Sequence, residues 1–480
     1  MTDLARPQRK PEKEAGEGHW LDITIALVAV GVLFYVWLSH PGIEVPVAVA
    51  IGVVTVVLSF KRPAVPCVLF VIFSFLRVHE AFPSLTPWRI PQLLAQLSLV
   101  VMCWHLLISR SLKPFWTREL SLFAGFFALA TLGILTSTSW ESSYNQWSDV
   151  FLKIAIMALL LTWVTRTPGD FHLVARLLTV GGTAVALVAI YNKLNSIGLV
   201  EGTRVTIGRA TGSVLGDPND LALALLFPLS FAGALVIGRV NVFDRVLGLA
   251  GSGTILLGIL ATQSRGGLLG LAAVCAVLAS RLIRSKVFMV TIGVVAVLGL
   301  FSVADISDRS SGGAGQGIDE SSQGRLIAWH TAWNMAVGHP LTGVGISNFA
   351  ANYWEYTPEW DGKAHAVHSS WFGILAETGF PGLFVFSALL ISTALTSWRC
   401  VRIVSTRAVD PKLHTAAYAL AAGLAGFCVS GTFLTQGFTW PFYIIFALTI
   451  ALSRTLTDVQ EQAAFVPMGI APPADRTTGG

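Results

Sequence analysis

Apolar runs of roughly 20 residues recur along almost the whole chain, separated by short polar loops. An α-helix of about 20 apolar residues is long enough to cross the hydrocarbon core of a membrane. Of the 480 residues, 54% are hydrophobic and only 12% are charged, whereas soluble domains carry about a quarter charged residues. The chain is therefore predicted to be an all-α polytopic membrane protein.

The apolar runs predict about 12 to 14 transmembrane helices. The spans lie near 21–38, 43–60, 64–78, 90–109, 120–138, 146–165, 171–192, 219–237, 246–263, 267–284, 287–304, 368–398, 413–432 and 438–454. The transmembrane domain then covers 21–456, with a cytoplasmic tail over 1–20 and a disordered cytoplasmic tail over 457–480. The run at 64–78 is short for a full crossing.

Basic residues mark one side of this predicted bundle. They collect in Arg6–Lys13, Lys61–Arg62, Arg110–Arg118, Arg239–Arg245, Arg281–Lys286 and Arg399–Lys412. All these groups fall on the same side, which the positive-inside rule assigns to the cytoplasm. Both termini are then cytoplasmic. The net charge of +5 is explained by these loops and does not indicate a nucleic-acid partner.

The opposite, external side carries two long segments, 193–218 and 305–367. Within the second, Leu326, Trp329, Trp333 and Val337 recur at helical spacing. This pattern predicts an amphipathic helix over Arg325–Val337 that lies on the membrane surface.

Ionisable residues that are costly near lipid are predicted to gather on this external side. They are Arg204, Arg209, Asp217, Arg265, Arg325, His365 and His368. A charge retained at membrane depth usually marks a functional site. An enzyme that acts on an anionic lipid head group would need such a cluster.

Arg265 lies in the motif Ser264-Arg265-Gly266-Gly267, between two apolar runs. The glycines permit a tight turn and close backbone approach, and a planar guanidinium suits phosphate oxygens. The alternative is an arginine that extends to the membrane interface. However, an ordinary boundary arginine belongs on the cytoplasmic side, so a functional role is favoured.

Other members of the cluster have structural alternatives. Asp217 precedes Pro218 and Asn219, a typical helix N-cap arrangement. Arg325 follows Asp319 and Glu320, with which it could form a surface salt bridge.

His368 begins a long apolar run, and histidine is the side chain that most often serves as a general base near neutral pH. The HxxH spacing with His365 could suggest zinc, but no third ligand has recognisable spacing. Glu377 lies two to three turns further on, where a carboxylate must be paired or protonated.

Several catalytic motifs are absent from the sequence. It has no P-loop, no GxGxxG after a strand, no GxSxG and no DxD. Nothing therefore indicates a nucleotide, and no metal or other cofactor is predicted. The five cysteines fall in or beside apolar runs and are interpreted as small packing residues.

Taken in order, four motifs resemble the O-antigen ligase and polymerase superfamily of bacterial lipid-linked glycan transferases. They are SRGG at 264–267, GRLIAW at 324–329, GHPLTGVGISNF at 338–349 and HSSWFGILAETGFPG at 368–382. The similarity covers roughly 205–385. Ser369 stands where the family usually has asparagine.

The resemblance implies a GT-C-like fold in the bacterial inner membrane and a metal-independent, inverting glycosyltransferase. Such enzymes transfer a glycan from undecaprenyl pyrophosphate to a lipid or glycan acceptor on the periplasmic face. By this resemblance, His368 would be the base, and Arg265 and Arg325 would hold the pyrophosphate. Arg204 and Arg209 would be additional clamps, and Glu377 would support His368 or an arginine.

The acceptor class is left open by the sequence. A ligase, a polysaccharide polymerase and a protein O-oligosaccharyltransferase of this superfamily differ in acceptor, for which no short motif exists. A transporter or flippase would instead place polar residues at the midplane of broken helices. A non-catalytic membrane anchor is a third possibility.

Overall fold

A computed structural model describes residues 44–82, 85, 88–283 and 322–465. Within these ranges the regular structure is helical, apart from one isolated β-bridge between Val200 and Arg204. We number the main helices α1 to α14. They are α1 (Glu44–Lys61), α2 (Ala64–Ser74), α3 (Ile90–Ile108), α4 (Arg118–Thr136), α5 (Trp140–Val164), α6 (Pro168–Leu194), α7 (Pro218–Ile237), α8 (Val242–Thr262), α9 (Arg265–Ala279), α10 (Ser322–Gly338), α11 (Phe349–Tyr356), α12 (Ser370–Thr406), α13 (Pro411–Phe433) and α14 (Trp440–Phe465).

The all-α polytopic architecture is confirmed. Among the described residues, nine helices are long and apolar enough to cross a membrane, and three shorter apolar helices accompany them. Together these twelve coincide with the twelve predicted spans that fall in the described ranges. The other two, 21–38 and 287–304, lie outside those ranges, as do the predicted tail 1–20 and the start of the segment 305–367.

Several boundaries differ from the prediction, among them the end of α12 at Thr406 instead of 398. The predicted span 64–78 is a helix of only 11 residues, Ala64–Ser74, followed by a single helical turn, Val78–Ala81. At the other end, α14 continues to Phe465, beyond the predicted end of the transmembrane domain at 456. Its polar last turns lengthen the helix because nothing in them breaks the helical pattern before Phe465.

Helix α7 lies at the centre of the bundle and packs against α6, α8, α9 and α13. Glycines let these helices approach closely, as is common in membranes. A Cβ atom at Gly182 of α6 would lie 2.3 Å from Pro228, and one at Gly270 of α9 would lie 2.4 Å from Leu226. The core is therefore assembled around α7, whose first turn carries part of the predicted site.

The loops predicted to be cytoplasmic meet one another at one end of the bundle. Trp163 Nε1 donates to the Phe115 carbonyl oxygen at 2.9 Å, and Thr455 Oγ1 donates to the Arg166 carbonyl oxygen at 3.2 Å. The segments predicted to be external interact at the opposite end, as described below. The alternation of the predicted spans is thus reproduced as two distinct ends.

A helix is present where the amphipathic helix was predicted, as α10 over Ser322–Gly338, but its apolar residues lie on both its buried and its exposed faces. Ala328 and Ala332 are buried against the rest of the protein, whereas Leu326, Trp333 and Val337 are exposed. An exposed apolar face on a membrane protein is suited to contact with lipid. The prediction was therefore right about the helix, while its place on a membrane surface stays a prediction and Trp329 faces inward.

Helix α12 is kinked where the segment after α10 packs against it. Gly379 has φ 67° and ψ −169°, and Pro381 follows two residues later. At this kink, Phe380 N–H donates to the Pro340 carbonyl oxygen at 3.0 Å, and Val344 N–H donates to the Ala376 carbonyl oxygen at 2.9 Å. The motif GHPLTGVG is therefore the segment that docks on the broken helix.

We expect Gly343→Ala to destabilise the protein markedly. Gly343 has φ +64°, and its Cβ would lie 2.4 Å from the Ala376 carbonyl oxygen. Left-handed backbone costs an L-residue about 1–2 kcal/mol, and here a backbone clash adds to that cost. The apparent melting temperature in nanodiscs should fall well below that of wild type.

Two glycine variants are matched controls for this prediction. Gly212 has φ +70°, and a Cβ added there by Gly212→Ala would meet open space. Gly253→Ala adds a Cβ in open space on α8. Gly212→Ala should show the strain alone, and Gly253→Ala should show no loss. Equal melting temperatures for Gly343→Ala and Gly212→Ala would contradict the close packing at the kink.

Candidate active site

His368 immediately precedes α12 in a strained backbone conformation. Its φ is +45°, which is uncommon for a residue with a side chain, and the imidazole is half-buried. Ser369 follows as the N-cap of the helix, and its hydroxyl accepts the Phe372 N–H. Such strain costs about 1–3 kcal/mol, and it is found where the surroundings fix a functional side chain.

Opposite charges act on the His368 imidazole. Burial is the main cause that lowers its pKa below the ordinary value of 6.5, and the Arg325 cation lowers it further. The Asp217 carboxylate raises the pKa, and His365 lowers it slightly. Because the lowering causes prevail, the neutral form of His368 is favoured, and its ring has a lone pair that can accept a proton.

Helix α10 brings Arg325 to His368. Trp329 lies one turn after Arg325 and donates from Nε1 to the Val367 carbonyl oxygen at 3.1 Å. Its indole stacks on Phe372, with ring centroids 5.2 Å apart. Trp329 thus connects α10 to residues on both sides of His368, which explains why this member of the predicted stripe faces inward.

Arg265 is the first residue of α9, and its side chain is exposed. Ser264 is the N-cap, and its hydroxyl accepts the Gly267 N–H at 3.1 Å. A Cβ at Gly267 would lie 2.6 Å from the Cβ of Ala222 in α7. The second glycine of SRGG therefore permits close helix packing, which holds Arg265 at the helix N-terminus, an end that favours anions.

Arg204 is only 1% exposed and forms internal hydrogen bonds. Its Nη2 donates to Asn219 Oδ1 at 2.8 Å, and its Nε donates to the Thr262 carbonyl oxygen at 3.3 Å. Ser264 Oγ donates to the same Asn219 oxygen at 2.8 Å. Arg204 thus links the external loop to the starts of α7 and α9, directly beside Arg265.

Asp217 is the N-cap of α7, as its sequence context suggested. Its Oδ1 accepts the Asn219 N–H at 2.7 Å and the Asp220 N–H at 3.2 Å. The predicted cap and the electrostatic contact with His368 are therefore both present, because an N-cap carboxylate can use one oxygen locally and still act on a neighbouring charge.

Gln436 links the start of α7 to the start of α12. Its Nε2 donates to Asp220 Oδ1 at 2.7 Å, and its backbone N–H donates to Ser370 Oγ at 3.1 Å. Ser370 Oγ in turn donates to the Leu434 carbonyl oxygen at 2.7 Å. The Asp217 turn and the His368 turn are consequently held together through the segment between α13 and α14.

Arg209 and His365 occupy the edges of this region. Arg209 is exposed, and its Nη1 donates to the Gly216 carbonyl oxygen at 3.3 Å, next to Asp217. His365 is buried, and its Nε2 lies 3.0 Å from Asp361 Oδ1. His365 is therefore fixed by a carboxylate, whereas no hydrogen bond to another described residue fixes His368.

Glu377 interacts with backbone rather than with the cluster. The backbone N–H groups of Ser347 and Phe349 donate to its carboxylate, so it satisfies the first turn of α11. These hydrogen bonds hold the GISNF segment, and the support for His368 or an arginine that the sequence suggested stays a prediction. A buried carboxylate needs donors, and the sequence could not show that the backbone supplies them.

Some residues of the external end were missed by the sequence interpretation. Arg77 pairs with Glu80, and the Ser213 hydroxyl donates to the Glu80 carboxylate, which joins the turn Val78–Ala81 to the Arg209 loop. Gln436 was also missed. In the sequence, each of these residues is only a polar residue beside an apolar run. That pattern does not show which residue it contacts.

Metal ligation finds no support in the described part of the chain. Across those residues, no group of three or more His, Cys, Asp or Glu side chains is arranged to hold a metal ion.

Comparison with known proteins gives one family match. Residues 250–387 match the family model described as O-antigen ligase, which confirms the resemblance to this superfamily. The matched segment includes Arg265, Arg325, His365, His368 and Glu377, whereas Arg204, Arg209 and Asp217 precede it. No curated protein matches the chain.

Proposed function

We propose, on the premise that residues 250–387 form an O-antigen ligase segment, that this protein is an inverting, metal-independent glycosyltransferase. It transfers a glycan from undecaprenyl pyrophosphate to an acceptor hydroxyl. The observation that carries the proposal is His368 held at φ +45° before α12, where the Arg325 cation and the Asp217 carboxylate both act on its imidazole. The family match supports a glycosyltransferase of the ligase or polymerase type.

In this mechanism, His368 accepts the proton of the acceptor hydroxyl as its oxygen attacks the anomeric carbon. The bond between that carbon and the pyrophosphate oxygen breaks on the opposite face, so the configuration inverts. Negative charge develops on the departing pyrophosphate, where the permanent charges of Arg265 and Arg325 stabilise it. The base and the leaving-group cations are separate residues, so proton removal and charge stabilisation can occur together.

The remaining predicted residues position this machinery. Arg204 is buried and paired, so we assign it to holding Asn219 and Ser264 rather than to contact with the substrate. Arg209 is exposed beside Asp217 and is free to approach the second phosphate. Asp217 tunes His368, and Glu377 holds the segment before α11.

We further propose that the protein resides in a bacterial inner membrane with both termini in the cytoplasm. The basic loops gather at the end of the bundle opposite the candidate site, as the positive-inside rule requires. The site then faces the periplasm, where a lipid-linked glycan would be presented.

The pH dependence of transfer tests the assigned base. The pKa of His368 is lowered from 6.5. We therefore expect the inflection of the acid limb in a plot of log(kcat/KM) against pH to lie below pH 6.5. Asp217→Asn removes a charge that raises this pKa and retains the N-cap, so its acid limb should move to still lower pH. A disubstituted pyrophosphate has no group that titrates near neutrality. An acid limb that is unmoved in Asp217→Asn would contradict the contact.

Acceptor identity decides between the members of this family. Purified protein would be given a glycan-linked undecaprenyl pyrophosphate with two acceptors side by side: a lipid A–core and a second lipid-linked glycan. Product on the core identifies a ligase, and chain growth identifies a polymerase. No product on either acceptor, from intact protein, would favour a protein acceptor or transport.

Metal dependence is a separate test. Transfer should persist in excess chelator, and complete loss of transfer there would overturn the metal-free mechanism.

A further inference from the structure

A cavity of about 200 Å³ lies beside the candidate active site. It is lined by Gly324, Ile327, Tyr353, Glu359, Trp360, Asp361 and His365. Drug-sized ligands occupy pockets of about 300–1,000 Å³, so this cavity suits a ligand of about one ring. Its walls come from the first turn of α10, from α11 and from the loop that leads to His368.

Two aromatic rings form one wall. The Tyr353 and Trp360 ring centroids lie 6.3 Å apart at an interplanar angle of 44°. Tyr353 is 1% exposed and rigidly packed, whereas Trp360 is 52% exposed. The faces of such rings are electron-rich and apolar. The accessible face belongs to Trp360, with Tyr353 packed behind it, and it suits the C–H face of a pyranose, which is apolar and slightly electropositive.

Carboxylates form the other wall. Asp361 is held in place because its Oδ1 accepts the Lys363 N–H at 3.1 Å and its carboxylate lies 3.0 Å from His365 Nε2. Glu359 is exposed at the rim. Ionised carboxylates accept strong hydrogen bonds from hydroxyl groups and repel other anions. This wall therefore favours a ring that is rich in hydroxyl groups and carries no negative charge.

The cavity is also placed next to the proposed pyrophosphate clamp. Gly324 lines it and is the residue before Arg325, and Ile327 lies two residues after Arg325. Because Gly324 has no side chain, this residue places only backbone atoms between the cavity and the Arg325 turn.

We propose that this cavity is a subsite for one uncharged pyranose unit of the lipid-linked glycan. That the bound sugar belongs to the lipid-linked glycan rests on the proposed function. That the cavity binds a neutral sugar rests on its two walls alone. The subsite would select glycans by the charge of one sugar, with neutral residues accepted and uronic acids rejected.

Ligand-observed saturation-transfer NMR on the full-length protein in nanodiscs tests this directly. The probes are methyl glucoside, galactoside and mannoside, with methyl glucuronide as the charged counterpart. At least one neutral pyranoside should give a signal that disappears in Trp360→Ala. The signal should persist in Trp354→Ala, a matched control because Trp354 is 63% exposed on the same segment. No Trp360-dependent neutral signal, or an equal signal from the glucuronide, would overturn the subsite.

The two proposals fail in distinguishable ways. The binding signal should survive in His368→Asn, which removes only the proposed base. If the protein binds the sugar but transfers no glycan, the proposed transferase activity is contradicted and the proposed sugar subsite is not. If transfer is found, Trp360→Ala should raise KM for the lipid-linked glycan about tenfold with little change in kcat. An unchanged KM would show that the cavity plays no part in transfer.

Discussion

Replacing His368 with asparagine should lower the rate of glycan transfer by about 10²–10⁴-fold, the usual contribution of a general base. Asparagine tolerates left-handed backbone better than most residues, so it fits φ +45° and removes the base without adding strain. The variant should still insert into the membrane and bind the lipid carrier. Single-turnover transfer, measured beside carrier binding, separates these effects. His368→Ala should lose transfer to the same extent.

His365→Asn is the matched control for the base. Histidine beside a carboxylate is a common catalytic pair, so the Asp361–His365 contact at 3.0 Å makes His365 the natural rival. We expect His365→Asn to retain most of its kcat, because His365 lines the sugar cavity rather than facing both Arg325 and Asp217. If His365→Asn loses transfer while His368→Asn turns over normally, the base has been assigned to the wrong histidine.

Arg265→Ala and Arg325→Ala should each reduce transfer by about 10²–10³-fold, the effect of removing one stabiliser of developing charge. Both should also weaken binding of the lipid-linked pyrophosphate. Arg265→Lys should recover only part of the loss, because an ammonium cannot present the two parallel donors of a guanidinium. Carrier binding and kcat/KM are the measurements.

Variants of two other arginines are the controls for Arg265→Ala and Arg325→Ala. Arg407 is exposed at the opposite end of α12, and Arg407→Ala should change neither binding nor turnover. Arg204→Ala should lower the melting temperature, because it removes one of the two donors to Asn219 Oδ1 and the guanidinium donor to the Thr262 carbonyl oxygen. Wild-type carrier binding in both Arg265→Ala and Arg325→Ala would count against the clamp.

The helical architecture was readable from the sequence because lipid imposes one strong rule. Each apolar run must satisfy its own backbone hydrogen bonds, and a helix does so locally. The helices Pro218–Ile237 and Val242–Thr262 therefore lie within a few residues of their predicted positions. The helix Ser322–Gly338 was predictable from residue spacing, since Leu326, Trp333 and Val337 share its outward face.

The partners of the polar residues were not readable, because they depend on distant segments. Arg204 and Arg209 look alike in sequence, yet one is buried on Asn219 and the other is exposed. Glu377 binds the backbone before α11. The cavity beside the candidate site was missed altogether, because Tyr353 and Trp360 belong to a segment whose fold is set by contacts with other parts of the chain.

The hydrogen bonds of Gln436 also constrain the order in which the candidate site can assemble during synthesis. Gln436 binds Asp220, 216 positions earlier in the chain, and its N–H binds Ser370, 66 positions earlier. Before Gln436 has been synthesised, these hydrogen bonds between the Asp217 and His368 turns cannot form. We therefore expect the candidate site to be completed only after the final helical hairpin, α13 and α14, is inserted.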